Sequence, residues 1–368
     1  LKKTIFLVLS IFLLFSCKSE KEKIAKEETT RQAVIDSTIT AFKKKLYQNK
    51  IDSVFAKYNF NGSIAVFQDS VLLAKKDSGF EDFNAKTKIS NQTVFAIGSV
   101  SKQFTAVLVL QLAESGKLKL DDKVSQYLSD FQNDRYKNIT IQQLLNHTSG
   151  ISDSGNGLLF KSGNSFSYSN KGFYFLGKLI EKVSGKNLND NYTELFRKAE
   201  LSNTFTADNF SGIHFAGAYL GTPKKFQKVE NMPKRLTEKS ISISAGGILS
   251  TTDDLHLWNQ ALYNGKLINT EFLKNFENKS ANRNHPIFGK MGYGFGIMMN
   301  PGKPDSFFHS GYVKGSPSLN IYYPENQISV IILSNIADEN SGKNAIFKPH
   351  REMKTFADEI ENIKVDFK

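Results

Sequence analysis

One cysteine, Cys17, stands in a chain of 368 residues, so no intramolecular disulfide can form. No internal repeat is present, and no low-complexity block beyond the charged stretch that ends near Asn49. The only long apolar run, Ile5 to Phe15, is too short to span a membrane with flanks. The six histidines are scattered without metal-ligand spacing, so neither a metal nor any other cofactor is expected. The formal charge is +12, yet the lysines are dispersed and no arginine-rich block exists, so nucleic acid is not an expected partner. Forty per cent hydrophobic and 23% charged residues suit an ordinary globular protein, long enough for one large or two ordinary domains.

The N-terminus has a different character. Lys2 and Lys3 precede the apolar run, and "LLFSC" ends at Cys17. A short basic-then-apolar start is a secretory signal. The ending resembles the bacterial lipobox, which implies cleavage after residue 16, lipid on Cys17, and anchoring of an exported protein to the cell envelope, at the outer membrane or a periplasm-facing membrane. An ordinary signal peptide with a coincidental cysteine is the alternative. Residues 17–50 are polar and charged and suit a tether that becomes helical near its end. A compact domain is expected over 51–368.

Within that domain, "GSIAVFQ" and "SVLLAKKDSGF" read as a β-hairpin turning at Gln68-Asp69-Ser70. A helix runs from Ser99 to about Ser115 and stops at Gly116. Residues 117–240 read as helices and loops without clear strands. Thr251 and Asp254 carry a capping-box pattern. Then "GYGFGIMMN", "SFFHSGYVKGSPSLNIYYP" and "QISVIILSN" restore strand character, and "NAIFKPHREMKTFADEIENI" reads as a closing helix. Strands distant in sequence must therefore join one antiparallel sheet flanked by helices, with an all-helical subdomain inserted and a cleft between the two.

Three short motifs carry chemistry. In "FAIGSVSKQF", Ser99 and Lys102 lie three apart at the start of an apolar helix and share a face. A hydroxyl needs a base, and a lysine becomes one only when burial or a neighbouring cation depresses its ordinary pKa of about 10.4. Gly98 lets the chain enter closely. Tyr168-Ser169-Asn170 precedes a second apolar helix, and cations near a phenol ease its deprotonation, so Tyr168 is a candidate proton shuttle. His309-Ser310-Gly311 is the single His-x-Gly in the chain and sits on an expected strand, where Gly311 would admit a substrate backbone. The backbone N–H groups of Ser99 and Tyr312 are candidates for an oxyanion hole.

Ser-x-x-Lys, Tyr-x-Asn and His-x-Gly in this order resemble the class C β-lactamase and penicillin-binding-protein family of serine hydrolases. "LLNHTSGI" at 144–151, "AGGILSTTDDLHLW" at 245–258 and "HSGYVKG" at 309–315 extend the resemblance, which covers roughly residues 51–340. It implies a β-lactamase/transpeptidase-like fold with the site in the cleft. It implies Ser99 as the acylated nucleophile, Lys102 and Tyr168 as managers of its proton, and Asn170 as orienter of Lys102 and the substrate amide. It implies His309, Ser310 and Gly311 as substrate-binding residues, with His309 in the place that lysine holds in class C β-lactamases. His147 belongs to a family-typical phrase and is read as structural. One departure matters: β-lactamases of class C carry Lys-Thr-Gly where this chain has His-Ser-Gly, and the Lys161-Ser162-Gly163 triplet comes too early. A permanent cation for a β-lactam carboxylate is therefore expected to be missing. His-x-Gly resembles D-amino-acid-specific peptidases and esterase-like relatives, which moves the expectation toward ester or D-peptide substrates. β-Lactam hydrolysis and a non-catalytic cell-surface binding protein are the alternatives.

Overall fold

The computed structural model describes residues 2–236, 242–300, 302 and 304–363, with side chains beginning at Glu20 and, after residue 21, continuing from Glu22. The side chain of Cys17 lies outside the described residues. The chain divides into a unit Leu1–Asn49 and a unit Lys50–Lys368. The first is helical, as part of α1, Lys2–Tyr58. Among the described residues no helix is long and apolar enough to cross a membrane.

The second unit is built on an eight-stranded antiparallel sheet. Its strands are β1 (Gly62–Gln68), β2 (Val71–Ser78), β3 (Ala281–His285), β4 (Gly289–Tyr293), β5 (Met298–Met299), β6 (Phe307–Val313), β7 (Ser316–Tyr323) and β8 (Ile328–Ser334). Their order across the sheet is β3-β4-β5-β6-β7-β8-β1-β2. The N-terminal hairpin thus docks on the C-terminal meander, with Gly62 opposite Ser334 and Gln68 opposite Ile328. The hairpin turns at Asp69-Ser70, where Asp69 takes a positive φ of 46°. Every residue of β7 and β8 is buried, because helices cover the sheet on both sides of the pleat.

The helices are α2 (Ser101–Glu114), α3 (Ile141–Leu145), α4 (Asn170–Ser184), α5 (Leu188–Lys198), α6 (Ile243–Gly246), α7 (Thr252–Tyr263), α8 (Thr270–Glu277), α9 (Lys343–Ile346) and α10 (Lys348–Glu361). α7 packs on β1 and β8; α10 packs on β7 and β8. α2 is buried along nearly its whole length and meets α4, α5, α6 and α8. That explains an apolar sequence with almost no amphipathic stripe: a helix surrounded by others has no solvent face. Trp258 on α7 stacks on Phe104 of α2, centroids 3.8 Å apart, and its indole N–H donates to Gln103 Oε1 at 3.1 Å.

The architecture is the expected one, with differences in detail. The 117–240 region is not wholly helical. It contains short strands at Phe205–Thr206, Tyr219–Thr222 and Lys225–Lys228. These pair with Ile248–Ser250, with Ile336–Ala337 and with each other, so tertiary partners rather than local pattern create them. The "GYGFGIMMN" run breaks at 294–297, and the closing helix is two, α9 and α10. The Thr251 hydroxyl accepts from Asp254 N–H, but the Asp254 carboxylate turns to Asn203 N–H and Thr204 Oγ instead of completing the box.

Candidate active site

Phe95–Ala96 pairs with Ile248–Ser250 and delivers the chain into a single tight turn, Gly98–Val100, that leads into α2. Gly98 has φ +50°, and a Cβ there would lie 2.7 Å from Tyr312 N. Only glycine permits the turn to sit so close to β6. Ser99 is half-buried at its apex. Lys102, one turn later, is fully buried.

The Lys102 amine touches three oxygens: Ser99 Oγ at 3.3 Å, Asn170 Oδ1 at 2.8 Å and the Ala245 carbonyl at 2.6 Å. Burial pushes its pKa well below the usual lysine value, and the Arg283 guanidinium pushes the same way against a weaker pull from Asp153. A neutral amine has two hydrogens and one lone pair. Asn170 Oδ1 and the Ala245 carbonyl can only accept, so they take the two hydrogens. The lone pair is left for the Ser99 hydroxyl.

Asn170 opens α4, and Ser169 caps that helix by accepting from Gly172 N–H at 3.0 Å. Asp153 braces the same terminus. It accepts from the Ser169 hydroxyl at 2.7 Å and from the N–H groups of Asn170 and Lys171 at 3.0 and 2.9 Å. Tyr168 stands one residue ahead, its ring centroid 4.8 Å from Lys102 Nζ. Its hydroxyl is buried without a partner of good geometry. Burial pushes the phenol up to about 12, while Arg283 and the adjacent Ser99 hydroxyl oppose it. The expected easing of deprotonation by cations is thus outweighed by desolvation, and the phenol is protonated at neutral pH.

His309 and Ser310 lie on β6, as does Gly311. The His309 ring is 1% exposed and both its nitrogens are engaged: Nε2 with Tyr293 Oη at 3.1 Å, Nδ1 with the Ser310 carbonyl at 2.7 Å. Burial holds its pKa well below the usual imidazole value, with Arg283 and Lys102 adding to the effect. Burial thus favours its neutral form, and with both nitrogens engaged it has no free donor for a carboxylate. Gly311 also differs from expectation. A Cβ there would meet Ile97 O at 2.0 Å and Ser318 Oγ at 2.4 Å. The neighbour that requires glycine is the chain leading into Ser99, not a substrate backbone.

Ser99, Tyr168, Arg283, His309, Tyr312 and Glu339 line one cavity of about 450 Å³. Arg283, on edge strand β3, was not expected from the sequence. Its guanidinium carbon lies 4.4 Å from the Tyr168 ring centroid. Its one hydrogen-bond contact among the described residues is to Met298 Sδ at 3.3 Å, and no carboxylate there lies within ion-pair distance. A permanent cation thus lines the cavity, from a different strand than the His309 motif. No motif marks Arg283, because a lone arginine on a polar edge strand ("ANRNH") resembles a solvated one. Tyr293 and Asp153, which also hold the site, carry no local signal either, whereas Ala245 opens the "AGGILSTTDDLHLW" phrase.

The Beta-lactamase family model matches residues 47–348. A penicillin-binding protein of Bacillus subtilis is 27% identical over 344 residues, covering 83% of this chain and 75% of its own. The teichoic acid D-alanine hydrolase of Staphylococcus aureus is 29% identical over 319 residues, covering 77% and 73%. Among solved structures, the D-amino acid amidase of Ochrobactrum anthropi superposes with a TM-score of 0.69 at 19% identity, over 85% of this chain and 97% of that one, a likeness of fold.

Proposed function

The chain belongs to the β-lactamase family, and from that premise we propose that it is a serine hydrolase that forms an acyl-enzyme on Ser99 and acts on an ester or a D-amino-acid peptide. The observation that carries this reading is the Lys102 amine. It is fully buried, with Asn170 Oδ1, the Ala245 carbonyl and Ser99 Oγ all within hydrogen-bond distance, so the neutral form that burial favours would turn its lone pair to Ser99 Oγ. A pure binding protein has no use for a desolvated amine aimed at a hydroxyl.

The steps follow. The Ser99 proton passes to Lys102 Nζ as Oγ bonds to the substrate carbonyl carbon. The carbonyl oxygen becomes an oxyanion, received by the N–H groups of Ser99 and Tyr312; the close approach of Gly98 to Tyr312 supports this pairing. The intermediate collapses, and the leaving group departs with a proton delivered through the Tyr168 hydroxyl from Lys102. Water then attacks the acyl carbon, gives its proton back along the same path, and frees Ser99. Ser310 and Gly311 shape the β6 wall, and Arg283 pairs with a carboxylate or other anion on the substrate.

Arg283 also favours a second reading. A cation in the cavity meets the requirement of a β-lactam carboxylate, so β-lactam hydrolysis as found in class C enzymes stands behind the ester and D-peptide activities. The chain organisation we propose is a signal over 1–16, lipid on Cys17, a tether to residue 50 and the hydrolase over 51–368, exported and held at the envelope.

Intact-mass spectrometry with a fluorophosphonate, and separately with a penicillin, tests the reading. A single fluorophosphonate adduct that vanishes in Ser99→Ala establishes the activated serine; no adduct with either probe refutes it. A stable penicillin adduct points to a peptidase, consumption of penicillin to a β-lactamase, and neither to an esterase.

A further inference from the structure

His147 has a conformation that needs a reason. Its φ is +60°, in the left-handed region that non-glycine side chains rarely adopt. It is 1% exposed. Its backbone carbonyl accepts from Ser167 N–H at 2.9 Å, and its Nδ1 accepts from Ser169 N–H at 3.2 Å. Tyr168 lies between those two bonds. On the other side, His147 Nε2 meets Tyr293 Oη at 3.1 Å, and Tyr293 Oη meets His309 Nε2 at 3.1 Å. The chain ends where His309 Nδ1 meets the Ser310 carbonyl at 2.7 Å.

The two ends fix every direction between them. Ser169 N–H can only donate, so His147 Nδ1 accepts and its proton sits on Nε2. That N–H donates to Tyr293 Oη. Tyr293 O–H then donates to His309 Nε2, which must be unprotonated. His309 carries its proton on Nδ1 and donates it to the Ser310 carbonyl. One polarised chain thus runs from the Tyr168 loop to the His309 strand, and the two imidazoles hold opposite tautomers.

We propose that His147 and Tyr293 are positioning residues of the hydrolase, which fix Tyr168 and His309 on either side of Ser99 through this one-way hydrogen-bond chain. The proposal rests on the serine-hydrolase reading. The chain explains why a histidine occupies a backbone position that glycine would fill at less cost. It also explains why His309 serves without charge: Tyr293 occupies the lone pair through which it would take up a proton, and the Ser310 carbonyl occupies its N–H.

The test begins with two-bond proton–nitrogen correlation spectra of the full chain labelled at histidine nitrogen, at neutral pH, with His147→Asn and His309→Asn used to assign the rings. His147 should be the Nε2–H tautomer and His309 the Nδ1–H tautomer. In Tyr293→Phe, which removes one oxygen, the His309 Nε2 resonance should shift as its hydrogen bond is lost, while the Ser310 carbonyl keeps the proton on Nδ1. The kcat of this variant should fall by about tenfold with little change in KM, because substrate still binds but the proton path is misaligned. His147→Asn, which tolerates a positive φ and keeps an acceptor near Ser169 N–H, should retain more kcat than His147→Ala. Finding His309 as the Nε2–H tautomer, or Tyr293→Phe with wild-type kcat, overturns the proposal. If the wild-type protein forms no adduct with the fluorophosphonate or the penicillin, the hydrolase reading falls, and the tautomers alone decide whether the chain exists.

Discussion

Adding one methyl group at Gly311 should damage the site from a position that holds no reacting atom. In Gly311→Ala the new Cβ would lie 2.0 Å from the Ile97 carbonyl oxygen and 2.4 Å from Ser318 Oγ. Ser318 can rotate away, at the loss of its 2.7 Å hydrogen bond to Ile97 O. The Ile97 carbonyl is backbone and cannot. Non-bonded carbon and oxygen need 3.0 Å or more, so β6 and the Ser99 turn must part by at least about 1 Å. Overpacking of this kind costs about 1–3 kcal/mol, several degrees of Tm in a domain of this size. The larger effect is on rate. A misplacement of about 1 Å between the Ser99 turn and the Tyr312 N–H costs on the order of 100-fold. The assay is the second-order rate of fluorophosphonate labelling, with thermal melts in parallel, and Gly157→Ala as control, since nothing lies within 4 Å of a Cβ there. If Gly311→Ala labels as fast as wild type at wild-type Tm, β6 does not constrain the nucleophile and the argument from close approach is wrong.

Arg283→Gln removes a cation that depresses Lys102; the acid limb of kcat/KM should move to higher pH, and the loss should be larger for carboxylate-bearing esters than for neutral ones. Lys102 binds its proton less tightly folded than unfolded, so stability should rise with pH from its depressed pKa up to the ordinary lysine value. Lys102→Met should lose that slope in denaturant titrations at several pH values, along with all turnover. Because burial holds Tyr168 near 12, kcat/KM should show no ionisation of this phenol up to about pH 10, and Tyr168→Phe should lower kcat without altering the alkaline side of the profile. Trp258 is the single tryptophan; its fluorescence should report unfolding, and Trp258→Phe should cost about 1–3 kcal/mol through the lost Gln103 bond and stacking area.

Much of the site was legible where chemistry and local structure coincide. Ser99 and Lys102 share a helical face, and a lysine in an apolar first turn demanded an explanation that the buried amine provides. The hairpin turning at Gln68-Asp69-Ser70 and the late runs "SFFHSGYVKGSPSLNIYYP" and "QISVIILSN" were visible because turn residues interrupt alternating or apolar runs. Arg283 and Tyr293 were not, because their roles arise from sheet order. β3 and β4 reach the cavity only once the meander is folded, and no short-range pattern encodes that. His309 illustrates a subtler limit. Its motif was visible, but its charge depends on Tyr293 and on burial, both properties of the assembled sheet. His147 was assigned to structure alone, and only its backbone angle and its two-sided hydrogen bonding point further.

The antiparallel pairing of Gly62–Gln68 with Ile328–Ser334 sets an order on folding. A chain emerging from its N-terminus exposes β1 early, yet β1 cannot acquire its inner neighbour until almost the entire polypeptide is out. Contacts of such sequence separation form slowly. Until then β1 and β2 are a hairpin that is marginal on its own. Completion of the sheet therefore waits for residues 328–334, and until they appear β1 lacks its inner partner. Such late closure suits the exported organisation proposed above.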